Sequence, residues 1–148
     1  MNDKPAGRWS ADQQPPFADF MGMTVTHVSP ERVTAEMVVT DKLSNRNGVL
    51  HGGALMALAD NLGGTAAVAN LGADQITTTI ESKTNFFAGI PVGETAHAEC
   101  TPLHRGRTTT VWPMSRRLVS RAIFRPKATS NNSLGLRTGP YRCPAAGR

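Results

Sequence analysis

A chain of 148 residues and 15.8 kDa makes one domain of ordinary size around one core, which excludes a two-domain architecture. Apolar residues make up 39%, and no uninterrupted apolar run approaches the ~18–20 residues that cross a bilayer as a helix, so a soluble protein without membrane or secretory segments is expected, cytoplasmic by default. The net charge of +5 would ordinarily suggest nucleic acid, but residues 1–112 are net −3 and residues 113–148 are net +8 with no acid at all, and that basic tail lacks the aromatic interleaving of a nucleic-acid surface.

The two cysteines, Cys100 and Cys143, are too few for a disulfide framework and lack CxxC spacing, so they read as incidental thiols and no metal is expected. Residues 1–16 are polar and Pro-containing and are expected to be disordered. Phe17–Met23 is expected to be a short helix or turn that packs Phe17 and Phe20 down. Thr24–Val28 and Arg32–Thr40 alternate apolar with polar residues around Ser29-Pro30-Glu31, the pattern of an antiparallel hairpin.

A polar loop, Asp41–Leu50, leads into a helix from Gly52 to about Asn70. Three further strands, Ile76–Phe87, Gly93–His104 and Arg107–Trp112, are separated by turn signals and expected to form a meander. The β-β-α-β-β-β order predicts an α+β antiparallel sheet with one long helix, not a nucleotide-binding βαβ fold. Gly52-Gly53 and Gly63-Gly64 lack Rossmann or Walker spacing.

The helix carries most of the information. On a wheel of about 100° per residue, Leu55, Leu58, Ala59, Leu62 and Ala66 share one face. The opposite face is Gly53, Met56, Ala57, Asp60, Gly64 and Ala67, with no Lys, Arg or Glu where a surface helix would carry them. Small residues there admit another backbone, so the helix is expected to be covered on both sides, most economically by a second copy of the chain.

Asp60, the single acid in a covered helix, is then paired with a distant Lys or Arg, exposed at a groove, or functional, because an unpaired buried carboxylate is costly. At the helix start, His51-Gly52-Gly53 sets two residues without side chains where unpaired N–H groups and the positive dipole end collect. Such an end can hold the oxyanion of a tetrahedral intermediate. Gly52 and Asp60 are eight residues apart, roughly 12 Å of helix rise, so one subunit cannot bring both to one carbon. Two such helices lying antiparallel across a two-fold axis can.

Asn45-x-x-Gly48-x-x-His51-Gly52-Gly53, Asp60 nine residues after His51, then Asn85-Phe86, Gly93-Glu94 and His104-Arg105-Gly106-Arg107-Thr108 resemble the hotdog-fold acyl-CoA thioesterases of the PaaI-like type, from about Phe17 to Trp112. The resemblance implies a hotdog fold, an antiparallel sheet wrapped around one long central helix. It implies dimers joined edge to edge, often paired into tetramers, and thioester hydrolysis without metal or organic cofactor.

Carried over by position, Asp60 is the nucleophile or the general base across the dimer interface, and the Gly52 N–H holds the thioester oxygen. Asn45 and His51 orient the thioester and loop, and Thr79 positions water. Gly53, Met56, Asn85 and Phe86 line the substrate site, and Arg105 and Arg107 meet the CoA phosphates, which suits the bidentate guanidinium. Simpler roles stand beside these. Asn45 closes an Asx turn, His51 caps the helix, Thr79 is a plain strand residue, and the arginines are solvated turn charges. His27 and His97 read as structural or exposed.

Two other functions share the pattern: a non-catalytic acyl-CoA-binding or defective homologue, and a hotdog dehydratase using His51 as base. The chain departs from the family after Trp112, where Pro113 removes a ladder donor and the acid-free tail replaces the usual last strand. The charge step points to a shifted reading frame, which resequencing tests. Unless Leu118–Phe124 supplies a substitute strand, the loss of interior pairing impairs the protein.

Overall fold

The computed structural model describes residues 13–72, 74–115 and 118–128. A short helix α1 (Pro16–Met21) precedes strands β1 (Met23–Val28) and β2 (Val33–Val38), a single 3-10 turn (Asp41–Leu43), and the long helix α2 (Gly52–Val68). Strands β3 (Gln75–Phe86), β4 (Thr95–Cys100), β5 (His104–Arg105), β6 (Thr110–Ser115) and β7 (Leu118–Ala128) follow. The hairpin β1–β2 is antiparallel, and β2 pairs in turn with β4 from Val33↔Cys100 to Val38↔Thr95.

The sheet has seven strands in the order β1-β2-β4-β6-β7-β3, with β5 added to β6. The strands after the helix are therefore not a meander. β3 leaves its sequence neighbour β4 and lies at the far edge, joined to the rest by β7 over eleven register pairs from Gln75↔Ala128 to Phe86↔Leu118. The expected second and third strands are also divided differently. Gly93 at φ 91 turns the chain into β4, the pairing stops at Cys100, and Arg107–Thr109 forms a turn in front of β6.

The sheet continues past Trp112. β6 runs through Pro113 to Ser115, and Leu118–Ala128 forms the strand between β6 and β3. Pro113 is tolerated where pairing is thin, since β6 meets β4 through only Glu99↔Ser115 and Cys100↔Met114. The expected disorder of the N-terminus falls largely on residues outside those described, as does Cys143.

α2 packs across the sheet. Its Leu58, Ala59, Leu62 and Ala66 are buried against Met23, Val25, Val33, Ala35, Met37, Cys100 and Trp112. Ala67 also belongs to this core and not to the opposite face as expected, while Leu55 is only half-buried. One further expectation about packing is overturned. In α1, Ala18 and Met21 face the core, whereas Phe17 is 61% and Phe20 81% exposed. The helix is a single turn and a half, and the i, i+3 pair on its inward face is Ala18–Met21, which turns both rings outward.

Candidate functional site

The loop before α2 is fixed by its own backbone. The Asn45 N–H donates to the Val49 carbonyl at 2.8 Å, and the His51 N–H to the Leu43 carbonyl at 2.7 Å. Asn45 Oδ1 accepts the Asn47 N–H at 2.8 Å, an Asx turn. Gly48 follows at φ 71, a conformation that favours glycine. The simpler role of Asn45 is therefore present in the structure, and its amide nitrogen remains available at the rim of a cleft.

That cleft has a volume of about 400 Å³ and gathers Asn45, Gly52, Leu55 and Phe86 with Val49, Leu50, Phe87 and Ile90. It joins three of the expected site residues at the first turn of α2. His51 is the N-cap: its Nδ1 accepts the Gly53 N–H at 2.9 Å. An accepting Nδ1 is unprotonated, so the ring proton of the neutral imidazole sits on Nε2. The Gly52 N–H, by contrast, has no acceptor among the described residues. It lies at the positive end of a 17-residue helix.

The Phe86 ring closes over Gly52. A Cβ at Gly52 would lie 3.2 Å from Phe86 Cζ, so a side chain there would push the ring back by a few tenths of an ångström. The imidazole of His51 faces a second hollow of about 250 Å³, shared with Gly53, Phe17, Met21 and Lys42. His51 and Gly53 therefore stand apart from the Gly52 cleft in this chain. Replacing His51 by Ala should lower stability by about 0.5–2 kcal/mol, read by urea unfolding, and His51→Asn should restore most of it. Equal midpoints for wild type and His51→Ala would discount the cap.

Of the readings open for Asp60, the structure has the exposed one and not a buried carboxylate paired with a distant base. It is exposed on the side of α2 that meets the edge strand β3, and its partner there is Thr79, whose Oγ1 donates to Asp60 Oδ1 at 2.8 Å. The burial cost that motivated a search for a distant base is therefore absent in a single chain. Thr79 stands beside a β-bulge at Ile80, where the β3–β7 register shifts between Thr79 and Glu81. Bulges re-aim side chains, and here Thr77 and Thr79 face inward before it, Ser82 and Thr84 after it.

Met56 is exposed on the same face as Asp60, and Asn85 is exposed near the end of β3. Arg105 and Arg107 lie at the other end of the helix. Arg105 Nη1 donates to Asn70 Oδ1 at 3.2 Å, and Asn70 is itself held by donating to the carbonyls of Pro30 and Ala66. Arg107 is exposed in the turn. His97 pairs with Glu36 at 3.1 Å on the exposed outer face of the sheet, and His27 is exposed.

The cleft residues Val49, Leu50, Leu55, Phe87 and Ile90 were not among the expected site residues. Only the Phe86-Phe87 pair carried a signal, since consecutive strand residues face opposite ways and one ring must leave the core. The Leu50 N–H to Ile90 carbonyl bond that brings the two loops together, 2.8 Å long, spans forty residues and has no local trace.

One helix laid across a curved antiparallel sheet, with a glycine-rich helix start at the sheet's edge, defines a hotdog-fold protein. Residues 47–114 match the family described as the Thioesterase superfamily. PA1618 of Pseudomonas aeruginosa is 32% identical over 104 residues, 70% of this chain and 71% of that protein. Its structure, solved as a thioesterase mutant, superposes with a TM-score of 0.71 at 25% identity over 76% of this chain and 86% of that one.

The 1,4-dihydroxy-2-naphthoyl-CoA hydrolase of Listeria monocytogenes is 30% identical over 95 residues, 64% of this chain and 76% of that enzyme. A protein named as an esterase in Deinococcus radiodurans is 34% identical over 92 residues, and the chain spans 60% of its length. The chain belongs to the thioesterase superfamily.

Proposed function

We propose that this chain is an acyl-CoA thioesterase whose site is shared between two copies, with Asp60 of one and the Gly52 N–H of the other acting on one thioester. The observation that carries the reading is Asp60 itself. It is an exposed carboxylate at the open edge of the sheet, with Oδ1 held by Thr79. Held by one oxygen, the carboxylate keeps Oδ2 for a reacting atom. The nucleotide-linked substrate of the Listeria relative supports CoA as the thiol.

In the general-base form, Asp60 Oδ2 takes a proton from water as the hydroxide adds to the thioester carbon. The oxyanion forms against the Gly52 N–H of the partner chain, where the helix end stabilises it. The C–S bond then breaks and the CoA thiolate leaves with the proton. In the nucleophilic form the same carboxylate adds directly to the thioester carbon, the C–S bond breaks with loss of the CoA thiolate, and water hydrolyses the resulting anhydride, its proton going to the thiolate. Asn45 orients the thioester, His51 holds the helix start by accepting the Gly53 N–H, and Met56, Asn85 and Phe86 lie around the substrate.

Arg105 is held at Asn70, ten residues or roughly 15 Å along the helix from Asp60, a span that suits the phosphate end of CoA with its thioester at the carboxylate. Arg107 shares that role. The protein works as a dimer or a dimer of dimers, in the cytoplasm, without a cofactor. Purified full-length protein should release CoA thiol from at least one of a panel of aryl, phenylacetyl and medium-chain acyl-CoAs. Tight acyl-CoA binding with no thiol released would favour the binding-protein reading instead.

A further inference from the structure

We infer that Asn70 is a positioning residue for substrate binding: through Arg105 it makes the far end of the site select a thiol carrier that ends in a nucleotide phosphate over one that does not. This selectivity presupposes the acyl-CoA thioesterase reading and adds to it the residue that orients the cation.

Asn70 follows the end of α2, and its side-chain nitrogen is fully used. Nδ2 donates one hydrogen to the Pro30 carbonyl at 3.0 Å and the other to the Ala66 carbonyl at 2.9 Å. Carbonyls only accept, so the amide cannot turn over, and Oδ1 is left facing Arg105, whose Nη1 donates to it at 3.2 Å. A carboxylate at this position could donate to neither carbonyl. The geometry therefore calls for an amide, and the guanidinium is oriented without being neutralised. Among the described residues it makes this hydrogen bond and no ion pair.

The ordinary task of a cation at a helix C-terminus is to serve the last carbonyls, and here those are already served. Of the carbonyls that α2 leaves open at its end, Thr65 accepts the Ala69 N–H at 2.9 Å, Ala67 the Asn70 N–H at 3.0 Å and Val68 the Leu71 N–H at 3.1 Å, while Ala66 takes Asn70 Nδ2. Arg105 is thus surplus to the helix end. It is exposed, and its backbone is fixed in a hairpin, Arg105 opposite Thr110, closed by the Gly106 N–H on the Thr109 carbonyl at 2.9 Å. The N–H groups that Asn70 does not use suffice for a two-pronged contact to a phosphate. An arginine already held in place gives up less side-chain freedom when it binds.

The test compares two thioesters of one acyl group: the CoA ester that the wild type turns over fastest, and its N-acetylcysteamine ester, which has the same reacting carbon and no phosphate. The quantity read is the ratio of their kcat/KM values. Asn70→Ala should lower this ratio about tenfold, the scale of one lost charge-assisted hydrogen bond, through a raised KM for the CoA ester and not a lower kcat. Arg105→Ala should lower it at least as far, and the double variant no further than Arg105→Ala, because Asn70 acts only through the guanidinium. The dissociation constant of adenosine 3′,5′-bisphosphate, measured by calorimetry, should rise in step. Asn70→Ser, a milder change that retains a hydroxyl donor, stands beside Asn70→Ala in each comparison, so that the result does not hang on one variant folding.

Asn70 variants that lose activity on both esters equally, with the ratio unmoved, mark Asn70 as structural and overturn the inference. So does a double variant whose ratio falls below that of Arg105→Ala, or an Arg105→Ala protein whose ratio matches the wild type. A wild type that releases no thiol from any ester overturns the thioesterase reading instead, and the calorimetric constants then decide the role of Asn70. A weaker bisphosphate complex in the Asn70 and Arg105 variants upholds it; equal constants, or no binding by the wild type, end it.

Discussion

Asp60→Asn should lower kcat for thioester hydrolysis by about 10²–10⁴-fold, the range of a positioned acid or base, with little change in fold or stability. The asparagine keeps a carbonyl oxygen to accept the Thr79 hydroxyl, which now donates at 2.8 Å, so the local geometry survives while the basic oxygen is lost. Thermal unfolding and far-UV circular dichroism of the two proteins should coincide. Rates of CoA release that match between wild type and variant would remove Asp60 from the chemistry. A collapse of folding together with activity would mark it as structural.

Replacing Trp112 by Ala should cost about 3–5 kcal/mol in urea unfolding, a large share of the 5–15 kcal/mol that holds a domain of this size. Trp112 is 0% exposed and belongs to the same buried cluster as Leu58, Leu62 and Cys100. It also stands where the sequence changes character. Its strand pairs with β7 on the far side, Trp112 opposite Ala122, so the backbone that sets the indole in the core is itself held by the basic segment after it. A loss below about 1 kcal/mol would mean that this segment is not in place in solution, and that the departure after residue 112 weakens the protein.

The same pair of substitutions separates what local sequence reveals from what it does not. The α2 helix was legible because its period, its N-cap and its lack of Lys, Arg and Glu are all written within a few turns. The hairpin β1–β2 was legible for the same reason, being a short-range pairing around one turn. The HGG start with Asn45 six residues before His51 also pointed to its chemistry, and the structure does bring Asn45, Gly52 and Phe86 to one cleft.

The position of β3 was not legible. Nothing in Gln75–Phe86 says that its partner is Leu118–Ala128 and not the strand that follows it, because an alternating Thr-rich strand fits many neighbours and register is chosen by the whole sheet. Whether Asp60 is buried or exposed at a groove stayed open on the same ground. A helix face without charge says that something covers it, but not whether the cover comes from the same chain. The outward turn of Phe17 and Phe20 likewise depends on which side of a six-residue helix the core reaches first.

The amino-acid order alone thus determined one helix, its polarised glycine start, its lone carboxylate and the α+β class, since each follows from periodicity and chain geometry over a few turns. Tertiary structure alone decided that Thr79 holds Asp60, that Phe86 covers Gly52 and that β7 completes the sheet behind them. Those contacts join residues tens of positions apart, and their energies depend on a packing that exists only once the sheet has closed around the helix.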